Sequence, residues 1–395
     1  MHRYESNAQQ LGRIQLGAII VAVIGIVFSL FGMQANLDRF FQSYLVSFVY
    51  WLELSLGCLG FLLIVNVVHG AWGIAVQRVF AAGARTVPLM ALLFLPLLFA
   101  LDRLYPWYSA PETLYFNTPY LSPTFFLVRA ALYFVVWTAL AVGISQWLYN
   151  HDRAGKPVSQ LGLARVSAIG LVFFVLTSGF AAIDWTLSIN PDYFASGYGW
   201  LANARMGLGA IALALIVVGI IGKPDVLEKR FKRPITRDLG MLLTATLLLW
   251  GYLEFIQGLI AWYGNLPWEA AWYAARVTGG WRWYVVGLTA LHFAIPFALL
   301  IMPDFKQKVG RLVAVATLLF VMRYATIFWV VMPEFYPLAG IHWIDVTLVL
   351  GMGGLWVLLF TWSLRSYPLL PVNHPRLPSE DEQKAETVGA AGAAT

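Results

Sequence analysis

Ten apolar runs, each long enough to cross a lipid bilayer, constrain this chain more than any other feature of its sequence. A helix needs about 20 apolar residues to span roughly 30 Å of hydrocarbon. Charged residues make up only 12% of the 395 residues, which is too few to cover a soluble protein of this size. The sequence therefore predicts an all-α polytopic membrane protein with ten transmembrane helices. The runs lie at about 13–33, 45–69, 87–102, 123–149, 163–185, 199–221, 239–263, 282–302, 310–332 and 342–364.

The positions of the 26 Lys and Arg residues predict the orientation of these helices. Most of them fall on one side of the predicted spans, and the positive-inside rule makes that side cytoplasmic. An even number of spans then places both termini in the cytoplasm. We expect a transmembrane domain over 1–370 and a cytoplasmic tail over 371–395 whose distal part is disordered. The exceptions are Arg39, Arg103, Arg276 and Arg282 on the opposite side, and Arg129, Arg205 and Arg323 within spans.

Ionisable residues inside the predicted spans are the first candidates for function, because each costs at least ~2.5 kcal/mol in lipid. Acids that alternate with Arg and His suit a proton relay or a polar ligand pocket. Ion pairs that only hold helices together, such as Arg129–Asp184 or Arg205–Asp184, explain the same pattern equally well. The residues form an outer-half set of Glu53, Arg129, Asp184, Arg205 and Asp345, and a midplane set of Glu254, His292 and Arg323.

The midplane set contains the residue that is hardest to explain by structure alone. Gln257 follows Glu254 by three positions and shares its helix face, so this face is polar at mid-depth. His292 is interpreted equally well as a hydrogen-bonded core histidine and as a relay member. His69 closes the second span on the cytoplasmic side, where protons would enter. The predicted proton path comprises Glu53, His69, Asp184, Glu254, His292 and Arg323.

Redox centres are not expected in this chain. Its single cysteine, Cys58, lies in an apolar run, whereas iron–sulfur clusters need about four thiolates. Haem b needs two histidines at matching depth, but His69, His292 and His342 lie at three different depths. The sequence therefore predicts no metal site and no cofactor bound by the chain itself. The net charge of +6 has the membrane explanation given above and indicates no nucleic-acid partner.

Five short blocks, taken in order over nearly the whole chain, resemble one family of membrane proteins. That family is the second polysulfide-reductase-like (NrfD-like) membrane subunit of bacterial alternative complex III, usually called ActF. The Asp-Trp and Trp-Tyr-Gly-Asn-Leu-Pro blocks are the most specific; the last block departs from the family at His374, where an acidic residue is frequent. The blocks are His69-Gly70-Ala71-Trp72-Gly73, Leu114-Tyr115-Phe116-Asn117, Asp184-Trp185 with Ser196-Gly197-Tyr198-Gly199, Trp262-Tyr263-Gly264-Asn265-Leu266-Pro267, and Asn373-His374-Pro375-Arg376.

The resemblance implies a place in a quinol:cytochrome c oxidoreductase of a respiratory or photosynthetic electron-transport chain in the bacterial cytoplasmic membrane. It implies two four-helix bundles, two peripheral helices and no redox centre in this subunit. It also implies partners: a paralogous membrane subunit that oxidises quinol (menaquinol or ubiquinol), a pentahaem cytochrome c, an iron–sulfur subunit, a monohaem cytochrome c, and lipids. Asp184 falls on the acidic position of the Asp-Trp block, and the comparable residue of the paralogue lies at its quinol site.

Three functions remain open at this point. The first is a proton-translocation path that accompanies quinol oxidation in partner subunits. The second is a purely structural membrane anchor in which the buried charges lock helices together. The third is a quinol-binding role in which Asp184 accepts a proton from the quinol, with Arg129 and Arg205 nearby.

Overall fold

The computed structural model describes residues 2–68, 70–110, 119–154, 160–220 and 235–366. His69 and the predicted tail 371–395 lie outside these residues, as do the blocks at 114–117 and 373–376. Over the described ranges the chain is helical, without any β-strand, and it contains ten helices that are long and apolar enough to cross a membrane. These findings confirm an all-α polytopic protein with ten candidate spans.

Eight of the ten spans are single uninterrupted helices, and the third and eighth are broken. Short helical segments follow or connect some of them, and all lie near the predicted outer side except Pro303–Lys306, which lies between the eighth and ninth spans on the predicted cytoplasmic side. The uninterrupted helices are His2–Ala35, Leu37–Val68, Pro123–Ala154, Gln160–Trp185, Tyr198–Ile220, Ile235–Gly264, Val309–Val331 and Trp343–Arg365. The short segments are Pro106–Ser109, Pro119–Leu121, Leu187–Ile189, Pro267–Val277, Pro303–Lys306 and Met332–Glu334.

The third span extends further towards the predicted cytoplasmic side than the apolar run indicates. It covers Ala71–Leu104 as helices Ala71–Ala84, Val87–Phe94 and Leu101–Leu104, with a 3₁₀ segment at Leu95–Ala100. Pro96 lies in that segment and lacks the backbone N–H that a regular helix needs. Arg78 and Arg85, which we expected in a cytoplasmic segment, therefore lie on or directly after the first of these helices.

The eighth span is interrupted by one turn of π-helix. It runs as Trp281–Leu288, then the π-helical turn Thr289–Ala294, then Ile295–Ile301. A π-helical turn inserts a residue into an α-helix and changes the direction of the side chains around it, and such turns are frequent at functional sites. His292 lies in this turn.

The second span is the central helix of the molecule. Its most apolar window is 94% buried, whereas the corresponding windows of the first, seventh and eighth spans are at most 28% buried. The third, fifth, sixth, ninth and tenth spans all pack against it. Gly57 permits the closest of these approaches, because a Cβ at this position would lie 2.1 Å from the Met206 carbonyl oxygen.

The first span lies at the periphery and packs mainly along the tenth. A Cβ on Gly25 would lie 2.4 Å from the Cα of Gly351, and one on Gly354 would lie 2.5 Å from the backbone N of Ala22. Without a hydrophobic driving force in lipid, helices associate where small residues allow their backbones to approach. The remaining faces of the first span expose large apolar side chains, as a lipid-facing helix does.

Replacing Gly25 by Val tests this contact. The new side chain has no space beside Gly351, so we expect the variant to be less stable by about 1–3 kcal/mol, the usual cost of overpacking. Gly17 is the control on the same helix, because nothing lies within 4 Å of a Cβ built there. Thermal unfolding of the full chain in mild detergent should show a lower midpoint for Gly25→Val than for Gly17→Val; equal midpoints would contradict the packing.

Candidate functional site

Glu53 is the most strongly bonded carboxylate on the central helix. Arg205 of the sixth span donates from Nη2 to Oε1 at 2.6 Å and from Nε to Oε2 at 2.9 Å. Arg323 of the ninth span donates from Nη2 to Oε2 at 3.3 Å. All three side chains are almost fully buried. We call Glu53, Arg205 and Arg323 the central ion cluster; it links three of the ten spans.

The central ion cluster has more positive than negative charge, because one carboxylate faces two guanidinium groups. Buried nitrogens of Arg205 (Nη1) and of Arg323 (Nε and Nη1) have no hydrogen-bond partner among the described residues. Gly209 provides the space for Arg323, since a Cβ there would lie 2.3 Å from Nη1. The cluster therefore has a net positive charge, and some of its N–H donors are bound by no described residue.

Asp184 belongs to a second, fully engaged ion pair near the predicted outer side. Arg129 donates from Nε to Oδ2 and from Nη2 to Oδ1, both at 2.9 Å, and the Tyr133 hydroxyl donates to Oδ2 at 2.9 Å. Arg129 also donates to the Tyr120 carbonyl oxygen at 2.8 Å and lies over the Tyr120 ring. Of the two pairings left open by the sequence, the structure contains Arg129–Asp184, while Arg205 binds Glu53.

Two further buried pairs were not identified from the sequence, which placed Arg39 and Arg276 in outer loops. Arg39 binds Asp345, whose carboxylate also accepts hydrogen bonds from the Ser43 hydroxyl and from the backbone N–H of His342. Arg276 donates to Glu334 at 2.7 Å. Burial lowers the pKa of the Arg276 guanidinium, and the nearby Glu334 carboxylate opposes that shift. Both arginines lie at or near helix ends, where a sequence alone does not distinguish a loop residue from a buried one.

Glu254 differs from all these carboxylates because it has no ion pair with any described residue. Its side chain is only half-buried, but Oε2 is fully enclosed and has no hydrogen-bond partner in the described ranges. Arg205 is close enough for its charge to act on Glu254. The Trp250 indole N–H, one turn earlier on the same helix, is likewise buried without a partner. Glu254 Oε2 and Trp250 Nε1 are thus both buried without a hydrogen-bond partner in the described ranges.

His292 presents a ring nitrogen in the same region. Its Nδ1 lies 2.7 Å from the Thr326 hydroxyl, which itself donates to the Met322 carbonyl oxygen at 3.1 Å. Because that hydroxyl has a single proton, Nδ1 is the protonated nitrogen of a neutral ring and Nε2 is an acceptor. Nε2 is buried without a partner among the described residues, and the ring lies 4.1 Å from the Trp250 ring. The π-helical turn therefore holds a buried ring against Trp250, and one nitrogen of that ring has no described partner.

Two tyrosines lie between Glu254 and the predicted outer surface. Tyr193 lies between the fifth and sixth spans, and Tyr273 lies on the short helix between the seventh and eighth spans. Both are close enough to Glu254 for its charge to act on them. Burial raises the pKa of Tyr193 to about 12, so the phenol keeps its proton at neutral pH. The Tyr193 ring stacks on Trp272 at 4.3 Å, which fixes its position. Phenols of this kind relay protons by hydrogen bonding without becoming ionised.

Two of the sequence blocks that lie within the described residues have local structural roles. Asn265 adopts a left-handed backbone conformation (φ 45°) that ends the seventh span, and Pro267 begins the next helix. Trp185, next to Asp184, packs in an aromatic group with Phe94 and Phe134. These blocks therefore shape the outer ends of the spans.

Arg323 joins the two predicted sets of charges. We assigned it to the midplane set with Glu254 and His292, but its guanidinium binds Glu53 of the outer-half set. Glu254 and His292 do lie near the same arginines, since Arg205 acts on both. His69 lies outside the described residues. Within those residues, no three His, Cys, Asp or Glu side chains are grouped closely enough to hold a metal ion.

Replacing Glu53 by Gln tests the importance of the central ion cluster. Two buried arginines would lose their counter-charge, and removing one partner of a buried ion pair costs about 3–5 kcal/mol. Asp38→Asn is the control, because Asp38 forms an exposed ion pair with Arg103 (side-chain exposures 62% and 39%) and exposed pairs contribute about 0–1 kcal/mol. Yield and thermal midpoint of the full chain should fall for Glu53→Gln only. A Glu53→Gln protein as stable as the control would show that the cluster is dispensable.

Comparison with known proteins adds no family assignment. No protein-family model matches the chain, and none of the curated proteins matches it.

Proposed function

We propose that this chain is a membrane subunit, without a redox centre of its own, of a quinol:electron-acceptor oxidoreductase of the alternative complex III type, and that it contributes a proton-translocation path. Electrons would pass through haem c and iron–sulfur clusters of partner subunits in the bacterial cytoplasmic membrane. Glu254 is the residue that carries the proposal. It is a mid-span carboxyl group with an enclosed oxygen that no described residue binds.

The chemistry of a proton path requires a group that gains and loses a proton inside the membrane. Glu53 and Asp184 are unsuited to this, because each is held by Arg side chains on both carboxylate oxygens. Glu254 has no such partner, and its position beside a cationic cluster gives it a counter-charge when it is ionised. We therefore assign the proton-carrying role to Glu254 and an electrostatic role to Glu53, Arg205 and Arg323.

The neighbours of Glu254 supply the adjoining steps of the path. On the eighth span, Nε2 of His292 has no hydrogen-bond partner among the described residues and can accept a hydrogen bond. Tyr193 and Tyr273 lie towards the predicted outer side and remain protonated at neutral pH. Proton entry from the predicted cytoplasmic side is assigned to His69 on the sequence alone. Transfer between these groups would follow hydrogen-bonded water, which bridges polar groups at little cost.

A purely structural membrane anchor is the second candidate, and the buried ion pairs favour it. Arg205–Glu53, Arg129–Asp184 and Arg39–Asp345 each join different spans and have little exposure. An anchor explains these pairs completely, but it gives no reason for an unpaired Glu254. A quinol site at Asp184 is less favoured, because Asp184 is fully buried and both its oxygens are occupied by Arg129.

Replacing Glu254 by Gln separates the first two functions. Gln retains the shape but cannot carry the proton, so we expect the protons translocated per quinol, beyond those that quinol oxidation itself releases, to fall at least about tenfold while quinol oxidation by the complex is largely retained. Glu269→Gln, a carboxyl group on the short helix after the seventh span, is the matched control. Both quantities are measured in sealed membrane vesicles.

Native electrophoresis of the same membranes completes this test. If Glu254→Gln prevents assembly of the complex, the anchor is supported instead of the path. If it alters neither assembly, turnover nor proton release, Glu254 has no part in translocation.

A further inference from the structure

Two residues with a left-handed backbone enclose the short helix Pro267–Val277 on the predicted outer side. Asn265 (φ 45°) and Gly279 (φ 56°) are the only residues of the described ranges in that conformation. Left-handed residues end a helix and let the chain change direction. The segment between them leaves the seventh span, packs against Met332–Glu334 at the end of the ninth, and enters the eighth. We call residues 265–279 the outer strap.

Arg276 holds the outer strap against the ninth span. It is buried, and its Nη2 donates to the Glu334 carboxylate at 2.7 Å and to the Val330 carbonyl oxygen at 2.6 Å. The Trp329 indole N–H donates to the Arg276 carbonyl oxygen at 3.1 Å. Glu334 also accepts a hydrogen bond at 3.2 Å from the side-chain amide of Asn190, a residue that precedes the sixth span. One arginine and one carboxylate therefore connect the strap to two other parts of the molecule.

The guanidinium group of Arg276 is also one layer of a three-layer stack. Its Cζ lies 3.5 Å from the centre of the Trp272 ring, and the Tyr193 ring centre lies 4.3 Å from that of Trp272, with 9° between the ring planes. At these distances Arg276 and Tyr193 would collide on one face of the indole, so Trp272 lies between them. Cation–π attraction and ring stacking both stabilise this order. Arg276 thus fixes the position of Trp272, and Trp272 fixes that of Tyr193.

The phenol end of this stack lies near Glu254. The charge of Glu254 acts on Tyr193 and on Tyr273, which lies on the outer strap itself. The rings of the two tyrosines are in edge-to-face contact at 6.1 Å. The segment that carries Tyr193 also contacts the seventh span directly, since a Cβ on Gly197 would lie 1.9 Å from the side-chain amide of Gln257. Gln257 is one turn from Glu254, so the strap and this segment adjoin the same part of the span.

We propose that Arg276 is a positioning residue for the outward proton step: through Glu334 and Trp272 it holds the Tyr193 hydroxyl where a proton passes between Glu254 and the outer side. This inference rests on the proposed proton path and adds to it the residues that determine its outer end. The Tyr193 phenol would accept a proton from Glu254 as it donates its own to water on the outer side, so its charge does not change. Arg276 itself carries no proton in this step.

The protons translocated per quinol by the complex in sealed membrane vesicles, beyond those that quinol oxidation itself releases, test this role. Tyr193→Phe keeps the ring in the stack but lacks the hydroxyl, so we expect this ratio to fall at least about tenfold while quinol oxidation is largely retained. Trp272→Leu removes the stack and should act in the same direction, whereas Trp272→Phe keeps an aromatic ring there and should retain most of the translocation. Arg276→Gln should lower the ratio as well.

Arg282→Gln is the matched control, because Arg282 is an exposed arginine shortly after the outer strap, and it should leave the ratio unchanged. A merely structural role of Arg276 would lower assembly, thermal midpoint and quinol oxidation together at an unchanged ratio, which would overturn the proposal. Glu254→Gln is measured in the same vesicles. If it lowers the ratio while Tyr193→Phe and Trp272→Leu do not, the proton path remains and the role of the strap is wrong. If Glu254→Gln also leaves the ratio unchanged, the proton path itself is wrong.

Discussion

The ion pairs of Glu53 with Arg205 and Arg323 are the constraint on which the rest of the structure depends. A carboxylate on the central helix is stable in the membrane only with opposite charge beside it, and Arg205 and Arg323 provide that charge from two other spans. The positions of these three helices are thereby fixed relative to one another. Gly57 and Gly209 lie next to this region. Gly57 lets the backbone of the sixth span approach closely, and Gly209 leaves space for the Arg323 guanidinium group. Helices that pack without this constraint, such as the first span, lie at the periphery.

The surplus positive charge of that cluster connects the scaffold to the proposed chemistry. Two arginines with one carboxylate leave a cationic region inside the membrane, and a nearby acid is the least costly compensation. Glu254 is that acid, but no hydrogen bond holds it in place within the described part of the chain. It can therefore act on the arginines by charge and still exchange its proton. The same arrangement keeps His292 beside the cations as an acceptor, since its other nitrogen is bound to Thr326.

The sequence predicts the count of spans and the helical class well, because both follow from hydropathy over a window. It does not predict which charges meet. Arg323 lies at a depth that suggested Glu254 as its neighbour, yet it binds Glu53, because rotation about the helix axis and the tilt of neighbouring helices decide the contact. Arg39 and Arg276 were assigned to loops because they precede or follow apolar runs, but caps and short helices bury them. The late predicted start of the third span has a similar cause: Arg78 lowered the local hydropathy, although the helix continues around it.

The two ends of the molecule differ in whether their buried polar groups are hydrogen-bonded. At the predicted outer end, Asp184 and Asp345 are fully bonded by Arg129, Arg39 and hydroxyl groups, which makes that end rigid. At the predicted cytoplasmic end, the buried hydroxyls of Ser145 and Ser363 have no hydrogen-bond partner among the described residues. Between them, Glu254 and the Nε2 of His292 are also without partners among the described residues. A chain that served only to hold helices together would gain stability by satisfying these inner groups, since a buried polar atom without a partner costs about 1–3 kcal/mol. The proposed proton path would use these unsatisfied groups at mid-depth.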